Sequence, residues 1–123
     1  MTGMLLDPEQ TVRAWHEALN AGELDGLLSL SAPDVEVGGP RGSGRGRDLL
    51  RDWVRRAGIR LEPISLHTRG EAVLVEQHAS WPGDAGPQPV ASVFRVRDGR
   101  VTSVIRYPDV AAARRSIDRP GEA

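Results

Sequence analysis

The spacing of apolar residues changes near the middle of the chain from a helical period to a strand period. Up to Gly58, apolar side chains recur every three or four residues, which is typical of helices with one buried face. After Gly58, apolar and polar residues alternate, which is typical of strands with one buried face. A chain of 123 residues is long enough for one core. The pattern therefore predicts a single α+β domain, residues 1–123, with an antiparallel sheet.

Three helices and one strand are predicted in the first half. Asp7, Pro8 and Gln10 have the capping-box spacing with proline at the first helical position, so a helix begins at Pro8. The sequence "NAG" at 20–22 predicts its end. The other elements predicted here are a short helix over 23–32, a strand over 35–37 and a helix over 46–58.

Turn sequences divide the second half into four predicted strands. The turns are "TRG", "PGDAGPQ" and the tight hairpin turn "DG". Asp109 stands where it would cap a short terminal helix, "VAAARRSI", ahead of a polar tail. The predicted strands cover 59–67, 71–81, 89–97 and 100–107.

The glycine-rich stretch "GGPRGSGRGRD" at 38–48 raises the question of a phosphate site. A phosphate loop requires a lysine, which this chain lacks, and a dinucleotide fingerprint requires glycine at position 47, where Arg47 stands. The stretch is therefore interpreted as a sharp turn into the helix over 46–58. Arg41 remains a candidate at a pocket rim, where it would attract an anionic group.

The composition excludes several kinds of chemistry. The chain has no cysteine, and all 16 basic residues are arginine, so thiolate and Schiff-base chemistry are excluded. The net charge of −1 argues against a nucleic-acid partner. No apolar run approaches the roughly 18 residues of a membrane span, and no leader sequence precedes the first helix, so we expect a cytoplasmic protein without a membrane partner.

Histidines offer little chemistry at the level of sequence. His16, next to Trp15, is expected at the edge of the first helix, and His67 is expected beside a turn, both at the surface. His78 and Glu76 share one face of a strand, as a carboxylate and an imidazole would for general-base catalysis. With no paired spacing among three histidines, neither a metal site nor a cofactor is predicted.

The order of elements, with "HEALNAGELDGLLSLSAPDVEV", "GRGRDLLRDWV" and "VFRVRDGRVTSVIRY", resembles the NTF2-like superfamily, in particular its SnoaL-like and ketosteroid-isomerase-like branches. The resemblance covers about residues 8–113. It implies a cone-shaped, strongly curved antiparallel sheet wrapped around three helices in the order α-α-β-α-β-β-β-β. It also implies a deep apolar pocket at the open end, and homodimers are common in this superfamily.

Alternation along the strands predicts which side chains face that pocket. The odd positions of residues 73–81 are the more apolar set and include Gln77 and Trp81, and Ser92 and Phe94 lie on the apolar face of the next strand. On the last strand, the family pattern favours Arg106 inward whereas amphipathicity favours Tyr107; we take Arg106. The indole rings of Trp15 and Trp53 could also form a wall against which a flat ligand packs. The predicted ligand-binding set is Trp15, Trp53, Gln77, Trp81, Ser92, Phe94 and Arg106.

The opposite faces of these strands are predicted to form a dimer contact. Ala91 and Val93 would supply apolar area there. Glu76 would pair across strands with Arg95 or Arg97. This arrangement predicts a homodimer joined through the outer face of the sheet, and it places the Glu76 and His78 pair away from the pocket.

The chain departs from the ketosteroid isomerases where their chemistry resides. The resemblance places their general-base aspartate at Gly39, their oxyanion-hole tyrosine at Trp15 and their protonated aspartate at Ser92. Two hypotheses follow. One is a module that binds a small hydrophobic molecule with a carbonyl or acidic group through Gln77, Ser92 and Arg106. The alternative is an enzyme of the polyketide cyclase, isomerase or hydrolase type, using a proton-transfer residue not identified from sequence, with Asp109 as a candidate.

Overall fold

A computed structural model describes residues 7–39, 42–83 and 86–117 as one curved sheet with four helices. The polar tail and Arg41, singled out from the sequence, lie outside these residues. The helices are α1 (Pro8–Ala21), α2 (Leu24–Ser29), α3 (Arg47–Ala57) and α4 (Val110–Ile117). The strands are β1 (Ser31–Gly39), β2 (Gly42–Arg45), β3 (Arg60–Arg69), β4 (Ala72–Ser80), β5 (Gln88–Arg97) and β6 (Arg100–Tyr107). None of the helices described is long and apolar enough to cross a membrane.

The sheet has the order β2-β1-β6-β5-β4-β3 and does not close on itself. The predicted α+β cone is confirmed, with two differences. The sheet is mixed, because β1 runs parallel to β6 while the other neighbours are antiparallel. Parallel strands are joined by a long crossover, so no short turn sequence indicates that they pair. The second difference is β2, which adds a sixth strand inside the glycine-rich stretch.

The glycine-rich stretch forms a hairpin followed by the start of α3. In the register of β1 and β2, Gly38 lies opposite Ser43, and a Cβ atom on Gly38 would come within 2.5 Å of the Ser43 Cβ atom. Gly46 has a φ of 113°, a backbone conformation that favours glycine, directly before α3. The Arg47 guanidinium donates two hydrogen bonds, of 3.0 and 2.7 Å, to the carbonyl oxygen of Ser31. These residues therefore serve the turn and its attachment to the sheet.

Helix α1 lies against the concave face of the sheet. Its capping box is present, with the Asp7 side chain accepting a hydrogen bond of 2.7 Å from the backbone N–H of Gln10. Trp15 is fully buried and packs edge to face on Phe94, with ring centroids 5.0 Å apart. At the other end of the helix, the Asn20 amide donates to the Leu61 carbonyl and accepts from the Leu61 amide. The helix is thus fixed to the sheet by packing along its length and by hydrogen bonds at its end.

Helix α4 covers part of the convex face and forms a second apolar core there. Ala91 and Val93, predicted at a dimer surface, are 0% and 2% exposed. That prediction of their exposure is wrong, because the C-terminal helix of the same chain packs on this face. The buried residues of this outer cluster are Ala72, Leu74, Ala91, Val93, Ala113 and Ile117.

The polar residues of the convex face also pair differently from the sequence expectation. Glu76 lies opposite Ala91 and accepts a hydrogen bond of 2.6 Å from the Ser65 hydroxyl, so the predicted contact with Arg95 or Arg97 is wrong. Arg97 instead pairs with Glu71 at 3.5 Å. The register of β4 and β5 determines these partners, and alternation alone does not specify a register.

The docking of α4 makes a stability prediction. Ala113→Glu places a carboxylate at a fully buried position against the sheet, and we expect the free energy of unfolding to fall by about 2 kcal/mol or more. Ala111→Glu, at an exposed position of the same helix, is the control and should change it by less than about 0.5 kcal/mol. Chemical denaturation measures both. Equal losses would show that α4 does not rest on the sheet.

Candidate functional site

A cavity of about 990 Å³ opens between the β1–β2 hairpin, helix α3 and the concave face of the sheet. Its size is at the upper end of the range typical of small-molecule sites. The apolar side chains that line it are Val37, Leu49, Trp53, Ile59, Leu61 and Val104, and the polar ones are Ser43, Arg56, Ser92 and Arg106. Backbone from the glycines of the hairpin completes the wall. The cavity therefore combines an apolar wall with a few polar groups.

The glycines leave room in this part of the wall. Gly39 ends β1 beside β6, and a Cβ atom on it would lie 3.8 Å from the Arg106 Cβ atom, an ordinary van der Waals contact. A Cβ atom on Gly44 would instead lie 2.5 Å from a methyl carbon of Leu49, so a side chain at this position would require the Leu49 side chain to shift. The shape of the cavity thus depends on a close approach of β2 to α3.

Two arginines supply the charge at the cavity. Arg106 projects from β6, half-buried, with its guanidinium carbon 6.0 Å from the centre of the Trp81 ring, at the outer limit of a cation–π contact. Arg56 reaches the cavity from the last turn of α3 and is exposed. No carboxylate or histidine is among the described residues that line the cavity. The electrostatic character of this wall is therefore positive.

A buried chain of hydrogen bonds leads from the cavity wall to helix α1. The hydroxyl of Ser92 donates to Gln77 Oε1 at 2.8 Å, and Gln77 Nε2 lies 2.9 Å from His16 Nε2. The other nitrogen of the imidazole, Nδ1, lies 2.7 Å from the carbonyl oxygen of Val12. The three polar side chains are at most 3% exposed. Among these three hydrogen-bonded side chains, only Ser92 lines the large cavity.

The burial of His16 overturns the expectation of a surface histidine. The side chain is 1% exposed, with its ring 5.2 Å from that of Phe94. Burial is the main cause that lowers the pKa of His16 to about 4; the nearby Arg13 lowers it further, and the contact with Val12 acts in the opposite direction. A signal was present in the sequence, because His16 follows Val12 by four residues and so shares its helix face.

The structure brings only part of the predicted ligand-binding set to the cavity. Trp53, Ser92 and Arg106 line it. Gln77 lies directly behind Ser92, and Trp81 stands beside Arg106. The remaining members, Trp15 and Phe94, are fully buried in the concave core and do not line the cavity.

The structure distinguishes Arg106 from Tyr107, and it adds to the cavity one arginine that the sequence analysis did not single out. Tyr107 packs against the outer cluster under α4, so Arg106 is the residue of this pair that faces inward. Arg56 was missed, because its position in an arginine-rich last turn resembled an ordinary solvated helix end.

Asp109, the candidate for proton transfer, lies away from the large cavity. It caps α4, accepting a hydrogen bond of 2.8 Å from the Ala112 amide. With Glu76 and His78, Asp109 lines a separate depression of about 230 Å³. Within the described part of the chain, no group of three or more acidic, histidine or cysteine side chains is placed to hold a metal ion.

Fold and cavity together define an NTF2-like protein, a helix-filled cone with an open pocket. The SnoaL-like domain family matches residues 12–104, and the chain belongs to this family. A search of curated proteins found no match.

Solved structures share this fold. An NTF2-like protein of unknown function from Cytophaga hutchinsonii is 15% identical, with a TM-score of 0.78 over 92% of this chain and 98% of that one. A proposed polyketide cyclase from Xanthomonas campestris is 25% identical, with a TM-score of 0.68 over 86% of this chain and 93% of that one. TerC, co-crystallised with polyporic acid, is 20% identical, with a TM-score of 0.74 over 90% of this chain and 98% of that one.

The lowered pKa of His16 predicts a loss of stability in mild acid. The unfolded chain takes up this proton near the ordinary pKa of 6.5, whereas the folded protein takes it up only near about 4. Between these values the unfolded state binds more protons, so the free energy of unfolding should fall as pH drops, by up to about 3 kcal/mol.

Chemical denaturation from pH 7 to pH 4 measures this loss. His16→Gln should remove its share of the pH dependence, whereas His78→Gln, which changes an exposed histidine, should keep the wild-type slope. An unchanged slope in His16→Gln would contradict the assignment of the acid sensitivity to the buried imidazole.

Proposed function

We propose that this protein binds a small hydrophobic molecule bearing a carbonyl or acidic group in the 990 Å³ cavity. The observation that carries the proposal is the pairing of an apolar wall with two arginines, with no carboxylate or histidine among the described lining residues. Such a wall favours apolar surface by desolvation and one anionic or polar oxygen by charge.

Arg106 is the group best placed to bind that oxygen. It is half-buried on the concave side of β6, and the centre of the Trp81 ring lies 6.0 Å from its guanidinium carbon. A hydrogen bond from a charged donor contributes about 1.5–3 kcal/mol when it is shielded from solvent. Arg56, being exposed, is better suited to attract an anion to the entrance than to hold it.

The similar proteins support this kind of ligand. TerC was co-crystallised with polyporic acid, and the Xanthomonas protein is a proposed polyketide cyclase. Both are related to this chain at 25% identity or less, so the likeness supports the fold and the class of ligand and does not identify a substrate.

The alternative is an enzyme that moves a proton on such a molecule. General acid–base catalysis requires a titratable group within hydrogen-bond reach of the reacting atom. Of the candidates in the described residues, Asp109 caps α4 outside the large cavity, and His16 is separated from the cavity by Gln77 and Ser92. Binding is therefore the function that the geometry favours.

Arg106→Ala tests the proposal, with 2-naphthoate as the acidic probe and naphthalene as its apolar counterpart. We expect the variant to bind 2-naphthoate about tenfold or more weakly, because a charged hydrogen bond is lost, and to bind naphthalene with little change. Quenching of tryptophan fluorescence reports both affinities, since Trp53 lines the cavity.

The matched control is Arg95→Ala, which removes an exposed arginine from the other face of the sheet. It should bind both probes as the wild type does. The proposal fails if neither probe binds the wild type, or if Arg106→Ala weakens naphthalene as much as 2-naphthoate.

We also propose that the protein is a homodimer, joined through the part of the convex face that α4 leaves uncovered. Ile64 is a large apolar residue 53% exposed on β3, beside the shallow depression that contains Pro89 and Val110. A contact with a second chain at this place would remove the Ile64 side chain from water, which is favourable.

Light scattering at micromolar concentration should therefore give the mass of two chains, and Ile64→Arg should give the mass of one. Thr68→Arg, at an exposed position of the same strand, is the control and should leave the mass unchanged. A wild-type mass of one chain would contradict the dimer.

A further inference from the structure

We infer that Ser92 presents a hydrogen-bond acceptor to the cavity, so that the ligand must carry a hydroxyl or N–H donor beside the oxygen bound by Arg106. This inference rests on the proposed function and makes its ligand class narrower. The inference concerns the direction of donation in the series of hydrogen bonds from Val12 to Ser92. In each of these bonds, only one of the two partners can be the donor.

The direction is set at the end of the chain furthest from the cavity. The carbonyl oxygen of Val12 can only accept, so the imidazole nitrogen 2.7 Å away, Nδ1 of His16, must carry a hydrogen. The imidazole is neutral near pH 7, because burial lowers its pKa to about 4. A neutral imidazole has one hydrogen, so Nε2 of His16 holds a lone pair and must accept.

The side chain of Gln77 then transmits this direction. Its amide nitrogen donates to His16 Nε2 at 2.9 Å, and its amide oxygen consequently faces Ser92. The Ser92 hydroxyl hydrogen points at that oxygen over 2.8 Å, away from the cavity. A hydroxyl has a single hydrogen and two lone pairs, so the lone pairs are what Ser92 has left to offer. His16 and Gln77 are positioning residues, because they act on the ligand through Ser92.

The position of Arg106 gives the second half of the recognition pattern. Ser92 and Arg106 are directly opposite each other in the pairing of β5 and β6, and both line the cavity. Directly opposed side chains on one face of an antiparallel pair lie about 5 Å apart at Cβ. The wall thus presents an acceptor next to a cationic donor. A hydroxyl or N–H separated by a few bonds from a carbonyl or carboxylate matches both groups.

Three naphthoates that differ at one position test the inference. In 4-hydroxy-2-naphthoate the hydroxyl is close to the carboxylate but too far away to bond to it, whereas 4-methoxy-2-naphthoate cannot donate and 2-naphthoate has no substituent. We expect the hydroxyl compound to bind the wild type about tenfold more tightly than the methoxy compound. Equal affinities for the two would overturn the inference.

Variants separate hydrogen bonding from the size of the methoxy group. Ser92→Ala removes the acceptor and should bring the ratio of the two affinities close to one, whereas Ser92→Thr keeps a hydroxyl and should keep the preference. Gln77→Met frees the Ser92 hydrogen to turn towards the ligand, so the ratio should fall while 2-naphthoate still binds. A merely structural role of Gln77 would weaken all three probes equally and would overturn its assigned part.

A measurement without ligand tests the direction itself. Nitrogen-15 spectra of the histidine rings at pH 7 should show hydrogen on Nδ1 of His16 and none on Nε2, with His16→Gln identifying the resonances. Hydrogen on Nε2 would overturn the inference whether or not a naphthoate binds. If the spectra agree but no naphthoate binds the wild type, the proposed function fails and the orientation of Ser92 stands.

Discussion

The chain of hydrogen bonds from Val12 through His16 and Gln77 to Ser92 connects the helix inside the cone to the strands that form its wall. Polar side chains in an apolar core cost free energy unless each finds a partner, and in this chain every link has one. Helix α1 therefore has one favoured position along the sheet, in which the imidazole meets the amide. Trp15 and Phe94 pack around that position, so the same arrangement that organises the core also determines which group faces the cavity.

The two faces of the sheet divide the work of stability and function. On the convex face, α4 supplies a small apolar core of its own, which requires no bound molecule. On the concave face, α1 and α2 pack into the main core, while the cavity lies between α3, the β1–β2 hairpin and the concave face of the sheet. A curved sheet makes this division possible, since its concave side encloses more volume than the helices occupy.

The sequence predicted which side chains share a face of each strand, but it did not predict which strands pair with each other in the sheet. Alternation correctly placed Gln77 and Ser92 on the concave side, because that periodicity is a local property of a strand. It could not reveal that β1 pairs in parallel with β6, which depends on residues far apart in the chain. His16 was missed for a related reason: a histidine is ordinarily polar enough to be expected in water, and its burial depends on an amide that approaches from β4.

Gly39 stands where the resemblance to ketosteroid isomerases assigns the general base, and a Cβ atom there would make only an ordinary contact with the Arg106 Cβ atom. Sterically, a carboxylate could therefore occur at this position, but its side chain would start beside that of Arg106, within reach of an ion pair. An ion pair with arginine holds a carboxylate in its charged form and makes it a poor acceptor of protons from carbon acids. Arginine at position 106 is thus incompatible with a strongly basic carboxylate at position 39 in the same cone. The residue on β6 determines whether an acid gained at the end of β1 would become a catalyst or only a counter-ion.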